Sequence, residues 1–184
     1  MRAFLSINLT ESICDAIQEL QMELDATTSG IRWTAPHSCH ITLNFLGDIT
    51  PEQAQELQTR LHPVAEQMGP FPIELCGLGQ FPPRGAASVV WIGITRGESS
   101  LVALERLTRK EIMEMGIKLD TRRYIPHLTI GRARRDQQPR IPDMKKHKER
   151  VLGQFRADAF YLMESKLDPK GAVYAPCCKF TLKL

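Results

Sequence analysis

The sequence predicts an α+β protein made of two similar lobes that face each other. Three observations carry this reading. The order strand, helix, strand, helix opens the chain, and the second half is similar in style, with a helix ahead of its own related strand. A His-x-Thr-x run stands at 40–43 and again at 127–130, each inside a strand-like segment. No Pro-, Gly- or Ser-rich linker separates the halves, so the chain reads as one domain, 1–184, of two interleaved lobes.

The elements follow in order. "AFLSINL" (3–9) is an apolar run of strand length, and Ile13, Ala16, Ile17, Leu20 and Leu24 then fall on one helical face. "HITLNFL" (40–46) is the next strand. Thr50-Pro51-Glu52-Gln53 is a helix start, with Thr50 as cap, Pro51 in the first turn and Gln53 reaching back as in a capping box. Ala54, Leu57, Leu61, Val64, Ala65 and Met68 mark the inner face of that helix, and Gly69-Pro70 stops it. Strands are expected over 71–79 and 88–94, with the breaker-rich "QFPPRGAA" between them. A helix over about 99–115 ends at Gly116. "YIPHLTIGR" (124–132) reads as a strand with Pro126 near its start, and 155–165 and 172–184 as two more.

Composition narrows the function classes. A net charge of +3 does not mark a nucleic-acid binder, but residues 132–150 hold eight Lys/Arg against three Asp/Glu. That segment reads either as a solvated surface or as an RNA-facing one. Five cysteines without Cys-x-x-Cys spacing suit neither a zinc site nor a disulfide framework. The N-terminal apolar run is short and broken by Asn8, and no stretch reaches the roughly 18 apolar residues of a membrane span. A cytoplasmic protein, independent of metal and cofactor and monomeric, is the expectation.

The paired motifs carry the chemistry. Side chains alternate along a strand, so His40 and Thr42 share one face while Ile41 and Leu43 point to the core. His127 and Thr129 repeat this, backed by Leu128 and Ile130. A chain of this composition yields about 0.06 such motifs by chance, so two copies indicate a joint site. Two imidazoles that titrate near neutrality suit in-line displacement at a phosphodiester. One takes the proton of the incoming oxygen and the other gives one to the leaving oxygen. Hydroxyls of Thr42 and Thr129 suit the non-bridging oxygens.

With these motifs, and with "RAFLSINL", "IRWTAPHSCHITLNFLGDI", "GLGQFPPRGAASVVWIGI", "RRYIPHLTIGRAR" and "FYLMESKLDPKGAVY", the chain resembles the 2H phosphoesterases. Within them it resembles the RNA 2′,3′-cyclic phosphodiesterases, formerly called 2′–5′ RNA ligases. The resemblance implies a bilobal fold of two pseudo-symmetric lobes, each with an antiparallel sheet and helices, and an active-site groove between them. It implies hydrolysis of terminal 2′,3′-cyclic phosphates on RNA or nucleosides to a 2′-phosphate, with His40 as proton donor, His127 as proton acceptor, and Thr42 and Thr129 on the phosphate. An RNA 5′-hydroxyl in place of water gives 2′–5′ joining. The residue pattern alone does not distinguish the two histidines. The alternatives are another 2H activity, either trimming of 3′ oligonucleotide ends or hydrolysis of ADP-ribose cyclic phosphates, or a non-catalytic RNA-binding module. Cys39 and Asn44 depart from the usual family wording, and Cys39 reads as a small core residue.

Secondary candidates surround the motifs. Arg132, five residues after His127, has the parity of a residue facing away, yet the resemblance favours a phosphate contact there. Phe45 stands in the same relation to His40 and reads as core packing or base stacking. Tyr124 suits stacking on a base or packing, and Arg84 suits the RNA backbone or its own loop. Trp33 and Trp91 are expected in the core.

Overall fold

A computed structural model describes residues 1–134, 138–168 and 171–183. Among the described residues nine strands and three helices follow one another as β1 (Arg2–Asn8), α1 (Glu11–Asp25), β2 (Ile31–Trp33), β3 (His40–Asp48), α2 (Pro51–Glu66), β4 (Phe71–Phe81), β5 (Val89–Arg96), α3 (Glu98–Glu114), β6 (Leu128–Ala133), β7 (Val151–Ala157), β8 (Ala159–Asp168) and β9 (Gly171–Thr181). Every strand pairing is antiparallel. The sheet runs β7-β4-β5-β6-β3-β1-β8-β9, with β2 against β6. Its midline falls between β6 and β3, the two motif strands. Strand–helix–motif strand occurs on each side of it, as β1-α1-β3 and β5-α3-β6.

The helices pack on one face of this curled sheet. Ile13, Ile17 and Leu20 of α1, Leu57 and Leu61 of α2, and Leu101, Leu104 and Ile112 of α3 join Leu5, Ile7, Ile41, Ile92 and Leu128 of the strands in one core. Thr50 and Gln53 make the expected capping box at the start of α2: Thr50 Oγ1 accepts from the Gln53 amide at 3.2 Å, and Gln53 Oε1 accepts from the Thr50 amide at 2.9 Å. Gly116 closes α3 with a φ of 76°, a left-handed conformation that favours glycine.

The expected elements differ from the observed ones in three places. The strand expected from residue 124 begins at Leu128, because Pro126 and the turn before it leave 121–127 irregular. The run expected as one strand over 155–165 is two. It breaks at Asp158, where the chain leaves β4's edge as β7 and joins β1 as β8. The three-residue β2 is too short for periodicity to reveal. Residues 135–137 of the basic segment, Pro169, Lys170 and Leu184 lie outside the described residues.

The capping box has a checkable worth. Thr50→Ala is expected to lower unfolding free energy by about 1 kcal/mol, read from urea denaturation.

Candidate active site

The two motifs meet because their strands pair directly. Ile41 lies opposite Leu128, and both are fully buried on the helix side. One step either way along this register puts His40 across from Thr129 and Thr42 across from His127. Residues directly opposite in an antiparallel pair share a face, about 4.5–5.5 Å apart at Cβ. The two histidines and two threonines therefore form one square of polar side chains on the face away from the helices.

Each imidazole is held in the same way. His40 Nδ1 donates to the Ser38 carbonyl at 2.9 Å, and His127 Nδ1 to the Ile125 carbonyl at 2.6 Å. A carbonyl can only accept, so the proton sits on Nδ1 and Nε2 is left for exchange with a ligand. Aromatic rings pack both histidines. Phe4 stacks on His40 at 4.6 Å with Tyr174 edge-on at 5.0 Å, while Phe81 is edge-on to His127 at 5.0 Å with Trp91 at 6.2 Å. Desolvation by this packing lowers both histidines from their usual range. The carbonyl bonds oppose that shift, and the positive charge of Arg132 adds to it at both rings.

That influence shows where Arg132 stands. In β6, Thr129 pairs with Trp91 but the next pair is Gly131 with Val90, so Ile130 is an extra residue in the ladder. Such a bulge reverses the alternation beyond it. Arg132, with Val89 opposite, therefore returns to the face of Thr129 despite its odd offset from His127. A bulge lies at the equivalent point of β3. Ser6 pairs with Thr42 and Leu5 with Asn44, which leaves Leu43 as the extra residue. Asn44 turns inward, and Phe45, 64% exposed, turns out beside Phe4 on the site face. Core packing is thus excluded for Phe45, and its ring is open on the site face.

Buried polar side chains lie at both bulges. Gln21 of α1 donates to the carbonyl of Ile130 at 3.0 Å and to that of Thr34 at 2.8 Å. On the other side Asn44 Nδ2 donates to Glu105 Oε1 at 3.1 Å, Thr108 Oγ1 donates to Asn44 Oδ1 at 2.7 Å, and Arg109 pairs with Glu105 at 2.6 Å. Helices α1 and α3, equivalent in the two halves, thus each supply a group to the bulge behind one motif.

The remaining candidates separate. Tyr124 is turned inward: its hydroxyl donates to the Thr42 carbonyl at 3.0 Å and ties the approach to the second motif onto the first. Burial, with Glu105 nearby, pushes its pKa up and keeps it a neutral donor. Arg84 is exposed on the loop between β4 and β5 and borders a cavity with Trp91 and Gln80, on the His127 side. Burial pushes the Cys39 thiol up to about 12. Trp33 donates its indole N–H to Asp25 of α1 at 2.8 Å, on the helix side.

Two further residues lie on the site face. Trp91 pairs with Thr129 and so faces the site instead of the core. Arg32 lies directly across from Arg132, two like charges on one face, and neither makes an ion pair among the described residues. Like charges so placed destabilise a sheet unless an anion lies between them.

The chain matches the LigT-like phosphoesterase family over residues 7–91 and again over 95–174, one match for each motif. It belongs to that family, within the 2H phosphoesterases. An Archaeoglobus fulgidus protein named RNA 2′,3′-cyclic phosphodiesterase is 33% identical over 175 residues, covering 95% of this chain and 96% of that one. The solved structure of a Thermus thermophilus protein superposes with a TM-score of 0.85 at 28% identity, over 99% of this chain and 98% of that one. E. coli LigT in complex with 3′-AMP has a TM-score of 0.81 at 23% identity, over 100% and 98% of the two chains, a likeness of fold.

The bulge network is open to test. Asn44→Ala leaves Glu105 and Thr108 without a shared partner, and an unfolding free energy lower by about 1–3 kcal/mol is expected from denaturation.

Proposed function

We propose that this protein hydrolyses the 2′,3′-cyclic phosphate at RNA ends, or on a nucleoside, to a 2′-phosphomonoester. The observation that carries this reading is the cross-strand square of His40, Thr42, His127 and Thr129, with both imidazoles pinned through Nδ1. The names of the curated relatives support the substrate class.

In the proposed mechanism Thr42 and Thr129 hydrogen-bond the non-bridging oxygens, and Arg132 with Arg32 neutralises the phosphate charge. Nε2 of His127, neutral, takes a proton from water as its oxygen bonds to phosphorus. The P–O3′ bond breaks on the opposite side, and O3′ takes a proton from Nε2 of His40. The donor and acceptor roles follow the family resemblance. Phe45 offers a face for a base of the cyclic-phosphate strand. Tyr124 acts as a positioning residue, and Arg84 and the basic segment serve the RNA backbone. Both proton transfers are supplied by imidazole, so the reaction needs no metal. The protein is read as a cytoplasmic monomer. Among the described residues no helix is long and apolar enough to cross a membrane.

The test is incubation with 2′,3′-cyclic AMP in EDTA, with the product's phosphate position determined. Undiminished formation of 2′-AMP is expected; loss of activity in the chelator, or shortening of 3′ ends as the main activity, defeats the reading. His40→Ala and His127→Ala are each expected to lower kcat by about 10²–10⁴-fold.

The pH dependence has a definite sign. Both histidines are held below the usual 6.5, and catalysis requires one protonated and one neutral. The kcat/KM profile is therefore a bell whose maximum lies on the acid side of pH 6.5. Activity falls above it as the donor loses its proton and below it as the acceptor gains one.

A further inference from the structure

The site face continues past the motif strands onto β1, β8 and β9. One row of the sheet runs from Thr42 of β3 through Ser6 of β1 and Tyr161 of β8 to Lys179 of β9, each residue directly opposite the next. Residues so paired share a face, so Tyr161 and Lys179 stand on the same side as the polar square. Three strand spacings of about 4.8 Å put the Lys179 backbone about 14 Å from that of Thr42. The adjacent row is Phe45, Phe4, Met163 and Pro176, and Tyr174 lies beyond it, opposite Ser165. Cys177 is an extra residue in β9 between these rows, so Tyr174 shares the face of Lys179 despite the odd separation. Phe160, Leu162 and Phe180 alternate to the helix face and are fully buried.

This outer face is aromatic and cationic. Tyr174 meets His40 at 5.0 Å and Phe4 at 5.1 Å, both edge-on, so the surface begins at the imidazole itself. Phe4 and Met163 are buried and form its floor. Ser6 is buried too, with its hydroxyl on Asn8 Oδ1 at 3.1 Å, so a ligand meets the rings and not this serine. Lys179 is exposed and makes no ion pair among the described residues. Glu164 and Lys166 alternate to the other face and pair with each other at 3.4 Å. Between Ala159 and Lys166, and between Val173 and Thr181, no carboxylate stands on the site face. Flat rings beside an unpaired cation suit single-stranded nucleic acid, whose bases stack while a phosphate meets the lysine.

Position decides which part of the substrate lies here. O3′ departs towards His40, so the ribose that carries it, with its base on Phe45, lies on the His40 side of the square. The chain on the 5′ side of that ribose leaves on the same side, where β8 and β9 extend the sheet. We propose that Tyr174, Tyr161 and Lys179 form a path for the nucleotides upstream of the cyclic phosphate, so that the protein acts on an oligonucleotide end in preference to a free nucleoside 2′,3′-cyclic phosphate. This rests on the phosphodiesterase reading above and narrows its substrate. The two tyrosine rings stack upstream bases, and Lys179 meets one upstream phosphate. None of the three reads sequence, because a ring face and a lysine accept any base and any phosphate.

Two measurements test it. First, kcat/KM is compared for 2′,3′-cyclic AMP and for a trinucleotide ending in the same cyclic phosphate. The trinucleotide is expected to be favoured about tenfold or more. That preference is expected to vanish in Tyr161→Leu and to be retained in Tyr161→Phe, with the rate on 2′,3′-cyclic AMP unchanged in both. General damage lowers both substrates together and leaves the preference intact, which counts against the path. Second, the dissociation constant of the 2′-phosphate-ended trinucleotide is followed against salt. The slope of log Kd on log salt is expected to fall by about one in Lys179→Gln. An unchanged slope overturns the proposal. So does a preference that persists in Tyr161→Leu and is lost in Arg84→Glu, because the strand then runs over the other half. Wild-type protein that hydrolyses both substrates equally well overturns the path alone. Protein that hydrolyses neither overturns the phosphodiesterase reading with it.

Discussion

Everything at the site depends on the pairing of β3 with β6. The sheet passes from one half to the other through these two strands, and their register sets His40 against Thr129 and Thr42 against His127. A slip of one residue in either strand would turn its histidine and threonine to the helix face and expose its Ile41 or Leu128. Both are fully buried, and returning two such side chains to water costs about 1.5–3 kcal/mol each. Core packing on one face thereby fixes the arrangement of the four motif side chains on the other. Tyr124 adds a second tie across the same seam through the Thr42 carbonyl.

The same economy is visible in the buried polar groups. Five polar side chains are buried among the described residues; Ser6 bonds Asn8 beside Thr42, and the other four, Gln21, Asn44, Glu105 and Thr108, belong to the networks at the two bulges. A bulge frees backbone groups from the ladder and redirects the strand beyond it, so it needs partners that a regular strand does not. Helices α1 and α3 supply them. The buried polar residues secure the positions at which the strands change face, and those changes bring Phe45 and Arg132 into the site.

What was legible in the sequence follows from this. The motif residues could be placed because alternation holds from His40 to Thr42 and from His127 to Thr129, ahead of each bulge. Period-two counting turns Arg132 and Phe45 away from the motif face because it assumes an unbroken ladder, and neither Leu43 nor Ile130 announces an extra residue. Trp91 stands in a hydrophobic run but alternates with the buried Val90 and Ile92, and so faces away from the core. The room for its ring comes from Gly79, which lies in another strand and becomes visible once register is known. Helix α2 was legible to the residue at its start because a capping box is local chemistry. The break at Asp158 was not, because it reflects a change of partner strand while the residues on both sides remain good strand formers.

A symmetric frame must still give two histidines different tasks. Their immediate surroundings do not provide the difference. Each is pinned by the carbonyl two residues before it, each is desolvated by aromatic rings, and the same Arg132 acts on both in the same direction. The halves differ at the equivalent positions beyond the bulges, where one presents the exposed ring of Phe45 and the other the guanidinium of Arg132, with Arg32 opposite. A nucleotide is unsymmetrical in the same sense, with an aromatic base at one end and a charged phosphate at the other. Binding it against an aromatic rim and a cationic rim fixes which bridging oxygen faces which imidazole. In the proposed mechanism donor and acceptor are then assigned by the orientation of the substrate, and two similarly held histidines suffice for a directional reaction.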